Sequence, residues 1–270
     1  KSIENASKAV IIGASFIGLE AAASLIKQGL DVTVVAPEAV PFERIFGKEI
    51  GKWIQQTHEE NGVTFKLNSQ VKNFKGDSSV SKVTLDDDSG LDADFVLIGI
   101  GVEPVTDYLI DFDLNEDRSI NVNTNLKAAE HVFAAGDIAR YPDFRTGDKI
   151  RIEHWRLAQQ QGRIAAHNML DHNVPFKRIP FFWTDQAKAH LLYVGHVQKW
   201  DDLIIDGEVS SGDFMAYFVK DDKILAAATT NREKEIAAIQ ELMQFNLMPK
   251  PAKVQKDRID ALHELTQATV

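Results

Sequence analysis

Gly13, Ser15 and Gly18 are the first residues whose types and spacing suggest chemistry. They belong to GASFIG, which joins the apolar run Val10-Ile11-Ile12 to a stretch rich in Ala and Leu. A strand that turns so tightly into a helix presents unpaired N–H groups and the positive end of the helix dipole to whatever sits on the turn. An anionic pyrophosphate suits that place, and a dinucleotide is the ligand it suggests. The usual spacing is G-x-G-x-x-G, and Ser15 stands at the middle glycine. Serine is small and brings a hydroxyl donor, so the turn is altered but not abolished. The other reading is that both glycines serve only close packing of helix on strand.

Further residues recur at places where such a ligand would extend. Glu38 follows the second strand, Asp31 to Val35, at about the spacing of an acidic ribose ligand. It also fits a plain surface carboxylate. Arg44, in PFERIFG, is the next charged group able to reach the same end, and arginine is the residue that accepts a 2′-phosphate. Phe95 to Val102 reads as a buried strand ending in Gly99 and Gly101. These glycines either wall the same crevice or form an exit turn before Pro104. Thr124 opens a segment that runs to Gly136 and Asp137. A strand delivering Gly-Asp places a carboxylate that accepts two hydroxyl hydrogen bonds or caps a helix. His154 and Trp155 precede a helix from Arg156 to Leu170. They either cover a ligand or pack.

The elements that must hold these groups follow from apolar periodicity. Ala9 to Val35 reads as one βαβ unit, with Gly29 stopping its helix. Ile45 to Asn61 is an amphipathic helix, with Ile50, Trp53 and Ile54 on one face. Val63 to Leu67 is a strand. Val71 to Phe74, Val80 to Leu85 and Phe95 to Ile98 read as an antiparallel meander, and Asp86-Asp87-Asp88 as a solvated turn. Ser119 to Val122 and Val132 to Ala134 are strands, the latter buried. From Ile179 the composition shifts to FFWTDQ and four strands: Leu191 to Gly195, Leu203 to Asp206, Phe214 to Val219 and Ile224 to Thr229. The helix Arg232 to Gln244 follows. Lys1 to Lys8 reads as a solvated lead-in without the apolar core of a signal peptide. Pro249 to Val270 reads as a charged tail with helix-forming stretches.

The chain has 270 residues and a net charge of −10. The acidic balance argues against a broad nucleic-acid surface or an anionic membrane. No apolar run approaches the ~20 residues of a membrane span. The chain contains no cysteine. It therefore has no disulfide, cysteine zinc site, thiol nucleophile or C-x-x-C pair of its own, and redox chemistry here requires a bound cofactor.

GASFIGLE, PFERIFG, GIGVEP, the Thr124 to Asp137 segment, HWRLAQQQGRIAAHNML and PFFWTDQ occur together in one order. Together they resemble the FAD-dependent pyridine-nucleotide oxidoreductases of the ferredoxin/rubredoxin reductase and apoptosis-inducing-factor group. GASFIG, the HW pair and Asp201 to Gly207 look most like the apoptosis-inducing-factor-like members, some of which carry a Rieske domain.

The resemblance implies an α/β fold of three parts. They are a Rossmann-like NAD(P)H domain with a β-meander (1–105), the second segment of an FAD domain (106–178) and a C-terminal α+β domain (179–270). It implies FAD and NADH, with NADPH open because Ala36 replaces the acidic residue many relatives have there. Gly13, Ser15, Gly18, Gly99 and Gly101 would line the NAD(P)H site, with Glu20 near the nicotinamide end and Arg44 near the adenosine. Thr124, Gly136 and Asp137 belong to the second FAD motif. His154, Trp155 and Trp183 would lie near the flavin ring. Hydride would pass from NAD(P)H to FAD, with no general base, and electrons on to an iron–sulfur acceptor such as ferredoxin, rubredoxin or a Rieske domain. An intracellular place, cytoplasmic or mitochondrial, goes with it. The family's first FAD-binding glycine turn has no counterpart here, so the chain is expected to be the C-terminal part of a longer enzyme and to hold FAD poorly alone. A non-catalytic NAD(P)H-sensing module is the second reading.

Overall fold

The computed structural model describes residues 3–256 and 259–268. Lys1 and Ser2 of the expected lead-in, and residues 257–258 and 269–270 of the expected tail, lie outside them. Strand β1 (Lys8–Ile12) feeds helix α1 (Phe16–Lys27), which returns into β2 (Asp31–Val35). β1 and β2 pair in parallel, from Lys8 opposite Asp31 to Ile12 opposite Val35. Helix α2 (Glu43–Glu60) and β3 (Thr64–Lys66) extend the sheet beyond β2. A meander of β4 (Val71–Lys75), β5 (Lys82–Leu85) and β6 (Gly90–Asp92) follows. β7 (Phe95–Ile98) then comes back parallel to β1, giving the order β3-β2-β1-β7.

Two expectations change here. The third meander strand is not Phe95 to Ile98 but Gly90-Leu91-Asp92, whose single apolar residue leaves no run to read. Phe95 to Ile98 is also not buried: β7 is the edge strand, so Phe95 to Leu97 are half-buried and Ile98 is 58% exposed.

The middle of the chain holds short strands, β8 (Ile120–Asn121), β9 (Lys127–Ala129), β10 (Val132–Phe133), β11 (Ala139–Pro142) and β12 (Lys149–Ile150). They form two small sheets, β12-β11-β8 and β10-β9, beside helix α3 (Trp155–Met169). Ile120, Leu126, Tyr141, Leu157 and Phe176 make their own core. Val132 and Phe133 are half-buried, not buried as expected, because a two-strand sheet covers little.

The last part is a five-stranded antiparallel sheet, β13 (Phe181–Gln186), β14 (Ala189–Gly195), β15 (Asp202–Glu208), β16 (Asp213–Lys220) and β17 (Lys223–Thr230), in the order β13-β14-β17-β16-β15. FFWTDQ is its edge strand. Helices α4 (Glu233–Gln244), α5 (Pro251–Lys256) and α6 (Ala261–Ala268) follow. The segment read as a tail is therefore packed, with Val254, Ile259 and Ala261 buried in one core with Ile236 and Leu242 of α4.

The opposite face of this sheet shares a core with the first sheet's helices. Phe16, Phe42, Phe46, Phe182 and Tyr193 are in ring contact across it, Phe16 to Phe182 at 5.2 Å and Phe46 to Tyr193 at 5.9 Å. Trp53 packs edge-on to Phe214 at 5.5 Å, as expected of a core residue. α2 breaks at Gly47, where φ is +83° and a methyl group would meet Leu203 and Trp200.

His58 lies in the last turn of α2 and is fully buried. Burial pushes its pKa down against the opposing hydrogen bond to the Gln186 side-chain oxygen, and burial likewise lowers that of His196. At these two rings the unfolded chain takes up protons near pH 6.5, and the folded chain only at lower pH. Stability is expected to be fullest above that pH and to fall as pH drops through 6.5 toward 5. Urea unfolding midpoints at several pH values check this. His58→Gln should flatten the fall, and an unchanged profile would rule His58 out as its source.

Candidate functional site

The carboxyl ends of β1 and β7 meet at glycine. Gly13 leaves β1 with φ +106° and donates its N–H to Val35 O at 2.8 Å. A methyl group on Gly13 would stand 2.4 Å from Gly99 O, and one on Gly18 would stand 2.1 Å from Gly13 O. One on Gly99 would be 3.3 Å from the Gly18 nitrogen. Gly13, Gly18 and Gly99 are thus one backbone-to-backbone contact. Gly101, also at positive φ, has nothing within 4 Å of such a methyl group.

Ser15 is the N-cap residue of α1, but its side chain does not cap the helix. Its hydroxyl donates instead to Gly99 O over a long 3.4 Å. The first turn of α1 carries no acidic residue. The helix start therefore keeps its N–H groups and dipole end for an outside anion. β2 and β3 leave β1 on one side and β7 on the other. The crevice between β1 and β7 is therefore the point where the strand order reverses, the place where open α/β sheets bind ligands. The glycine contact and the uncapped helix fit a dinucleotide pyrophosphate. Glu38, half-buried beyond β2, and Arg44, exposed in the first turn of α2, follow the neighbouring strand end.

A second group forms where α3 begins. His154 is the N-cap of α3, its Nδ1 accepting from Arg156 N–H at 3.3 Å. A neutral ring then carries its proton on Nε2. Burial and Arg156 lower the His154 pKa, with Asp137 opposing. His154 stacks on Trp155 at 5.8 Å and meets Trp183 of β13 edge-on at 5.8 Å. Trp155 is 58% exposed, so it is not a core residue. Gly136, at φ +79°, donates to Gln161 of α3 at 2.7 Å. Gln161 is fully buried, and its Nε2 has no partner among the described residues. Asp137 is exposed and caps no helix: Ala135 precedes its own short helix. An exposed indole beside half-buried Trp183, a donor imidazole, an exposed carboxylate and an orphan amide fit a flavin with its hydroxylated chain.

Thr124 is not part of this group. Asn125 beside it accepts from Asn168 near the far end of α3, two turns from Gln161. Three supporting residues escaped the sequence reading. Arg151 donates to Asp137 O at 3.2 Å and to Asp117 at 2.7 Å, and Arg140 donates to Asp117 at 2.6 Å. Burial works against the Asp117 carboxylate, but Ser119 and the two arginines hold its pKa far below the usual range. Nothing periodic links residues 34 positions apart.

A glycine-lined crevice at the strand-order reversal of a parallel sheet and an aromatic cluster at the start of α3 together fit a fold with two nucleotide sites. The sequence pattern of the pyridine nucleotide-disulphide oxidoreductases matches residues 1–162, and that of a reductase C-terminal domain matches residues 181–266. The chain belongs to the pyridine nucleotide-disulphide oxidoreductase family. It is 33% identical over 240 residues to apoptosis-inducing factor 3 of Mus musculus, covering 87% of this chain and 40% of that protein. It is 28% identical to the ferredoxin–NAD(+) reductase component of the anthranilate 1,2-dioxygenase system of Burkholderia cepacia, covering 92% of this chain and 61% of that protein. The crystal structure of a ferredoxin reductase from Rhodopseudomonas palustris superposes with a TM-score of 0.87 at 27% identity, covering 98% of this chain and 65% of that one. The chain thus spans about 40 to 65% of the length of these relatives. Among the described residues, no helix is long and apolar enough to cross a membrane.

Gly13→Ala combines a backbone clash with a left-handed φ and is expected to cost about 3 kcal/mol or more. Gly101→Ala carries the strain without the clash and should cost about 1 to 2 kcal/mol. Urea unfolding of both variants measures the difference, and equal losses would contradict the contact.

Proposed function

We propose that the whole protein is an NAD(P)H-dependent flavoenzyme that passes electrons to an iron–sulfur acceptor. The observation that carries this is the crevice at the β1–β7 reversal, where an uncapped helix start meets three glycines in backbone contact. When bound, FAD supplies the step from two-electron hydride transfer to single electrons. The chain supplies binding and orientation. The α1 start holds the coenzyme's pyrophosphate. Glu38 accepts from the adenosine ribose, and Arg44 stands ready for a 2′-phosphate. Gly136 and Asp137 hold the flavin's hydroxylated chain. His154, Trp155 and Trp183 cover its ring and keep water out. No residue is needed as a general base, because a hydride carries its own electron pair and proton equivalent.

The ferredoxin reductases among the relatives support a ferredoxin-type acceptor. A rubredoxin or a Rieske domain would meet the same one-electron chemistry. Division of the chain at 105 and 178 fits the three bodies described above.

Two measurements test this reading. NADH added to the full-length protein is expected to bleach its flavin absorbance, and failure to do so would sink the redox reading. In calorimetry on this chain, NADH should bind one to one. Glu38→Gln should raise NADPH affinity relative to NADH by roughly tenfold, since it removes an anion facing the 2′-phosphate.

A further inference from the structure

Glu20, Thr184, Gln186 and His58 come from three distant segments and touch in series. Thr184 Oγ1 donates to Glu20 Oε1 at 2.5 Å, Gln186 Nε2 donates to Thr184 Oγ1 at 2.6 Å, and Gln186 Oε1 lies 3.0 Å from His58 Nε2. His58 and Gln186 are fully buried, and Thr184 nearly so, while Glu20 is half-buried at the rim.

The series has a direction that follows from its outer end. An ionised carboxylate only accepts, so the Thr184 hydroxyl must spend its one proton on Glu20. Thr184 oxygen then accepts, which turns the Gln186 amide nitrogen toward it. The Gln186 oxygen is left facing His58, so His58 must donate from Nε2. Its Nδ1 then carries no proton, which agrees with its having no hydrogen-bond partner among the described residues. A buried ring with no acceptor at Nδ1 has nothing to stabilise a second proton. His58 is therefore fixed as a neutral donor, and every donor after it is fixed in turn.

We propose that His58, Gln186 and Thr184 are positioning residues whose one-way hydrogen-bond relay holds Glu20 as a pre-oriented acceptor at the coenzyme's nicotinamide end. This rests on the reading of the Gly13–Gly18 turn as an NAD(P)H site. Glu20 lies one helical turn beyond that glycine turn, on α1. With Oε1 held by Thr184, the second oxygen is left for one outside donor, and a primary carboxamide N–H is a donor of the right kind. Ordering the carboxylate before the ligand arrives spares that cost at binding.

The test compares NADH with ADP-ribose, which shares the adenosine and pyrophosphate but lacks the nicotinamide. In calorimetry on this chain, Thr184→Val is expected to weaken NADH roughly tenfold, as for loss of a hydrogen bond to a charged group. ADP-ribose should be unchanged, and Thr184→Ser should restore NADH. Gln186→Leu should cause a smaller loss, again confined to NADH. Nitrogen NMR of the wild-type imidazoles should show His58 protonated on Nε2 alone. Protonation on Nδ1 overturns the relay whatever the variants do. Equal losses of both ligands, without rescue by serine, overturn it in favour of a packing role. Tight ADP-ribose binding with no NADH effect in any variant overturns the relay and leaves the coenzyme site standing. Failure of the wild type to bind either ligand brings down the coenzyme reading itself, and the positioning role with it.

Discussion

The contact among Gly13, Gly18 and Gly99 is the constraint on which the rest of the molecule turns. It brings three backbone segments closer than any side chain permits, with a Cβ at Gly18 falling 2.1 Å from Gly13 O. That approach sets the exit of β1, the start of α1 and the end of β7 at one point. Strand pairing alone would leave them free to splay, because β1 and β7 share only four residue pairs. The cost of three glycines lies in backbone entropy. The return is a helix start that stays open: Ser15 reaches back to Gly99 instead of capping its own helix. A capped helix would have spent those N–H groups.

The second constraint is the shared core between the first sheet's helices and the C-terminal sheet. Phe16, in the first turn of α1, touches Phe42 and Phe46 of the α2 region and Phe182 of β13. The side chains next to the open turn are therefore also those that seat β13. A shift of β13 would be felt at the glycine turn through one aromatic ring, since close-packed interiors transmit displacement. The middle body has its own core and is tied to the C-terminal sheet by Arg145, which is held by buried Asp143 and donates to Leu225 O, and by Phe144, which packs against the C-terminal core.

Legibility in the sequence followed locality. The βαβ unit was readable because Val10 to Val35 carries its own punctuation: an apolar run, a glycine turn, a helical period and Gly29. The helices from Ile45 and Arg156, and the strands from Leu191 onward, were readable for the same reason. The swap of β6 for β7 in the meander shows the limit. Gly90-Leu91-Asp92 has no pattern of its own and becomes a strand only because β5 pairs with it. β7 is directed to β1 by the glycine contact, not by its composition. At the site, the glycines, Asp137 and the His154–Trp155 pair were visible as residue types. The cap role of His154, the Asp117–Arg151 support and the placing of Thr124 were not, because each depends on which segments the fold brings together.

β13 joins these threads. Its side chains alternate between two environments with period two. Trp183 faces His154 and Trp155 at 5.8 and 5.9 Å. Thr184, one residue on, faces the other way to Glu20, and Gln186 continues along that face to His58. A shift of register by one residue would exchange the two faces. It would put a hydroxyl among the aromatic rings and an indole against a carboxylate. The six-pair ladder from Phe181–Val194 to Gln186–Ala189 holds the register against that slip. A single edge strand thereby sets the aromatic cluster around His154 on one face and the contact to Glu20 on the other, and neither can be moved without moving its neighbour.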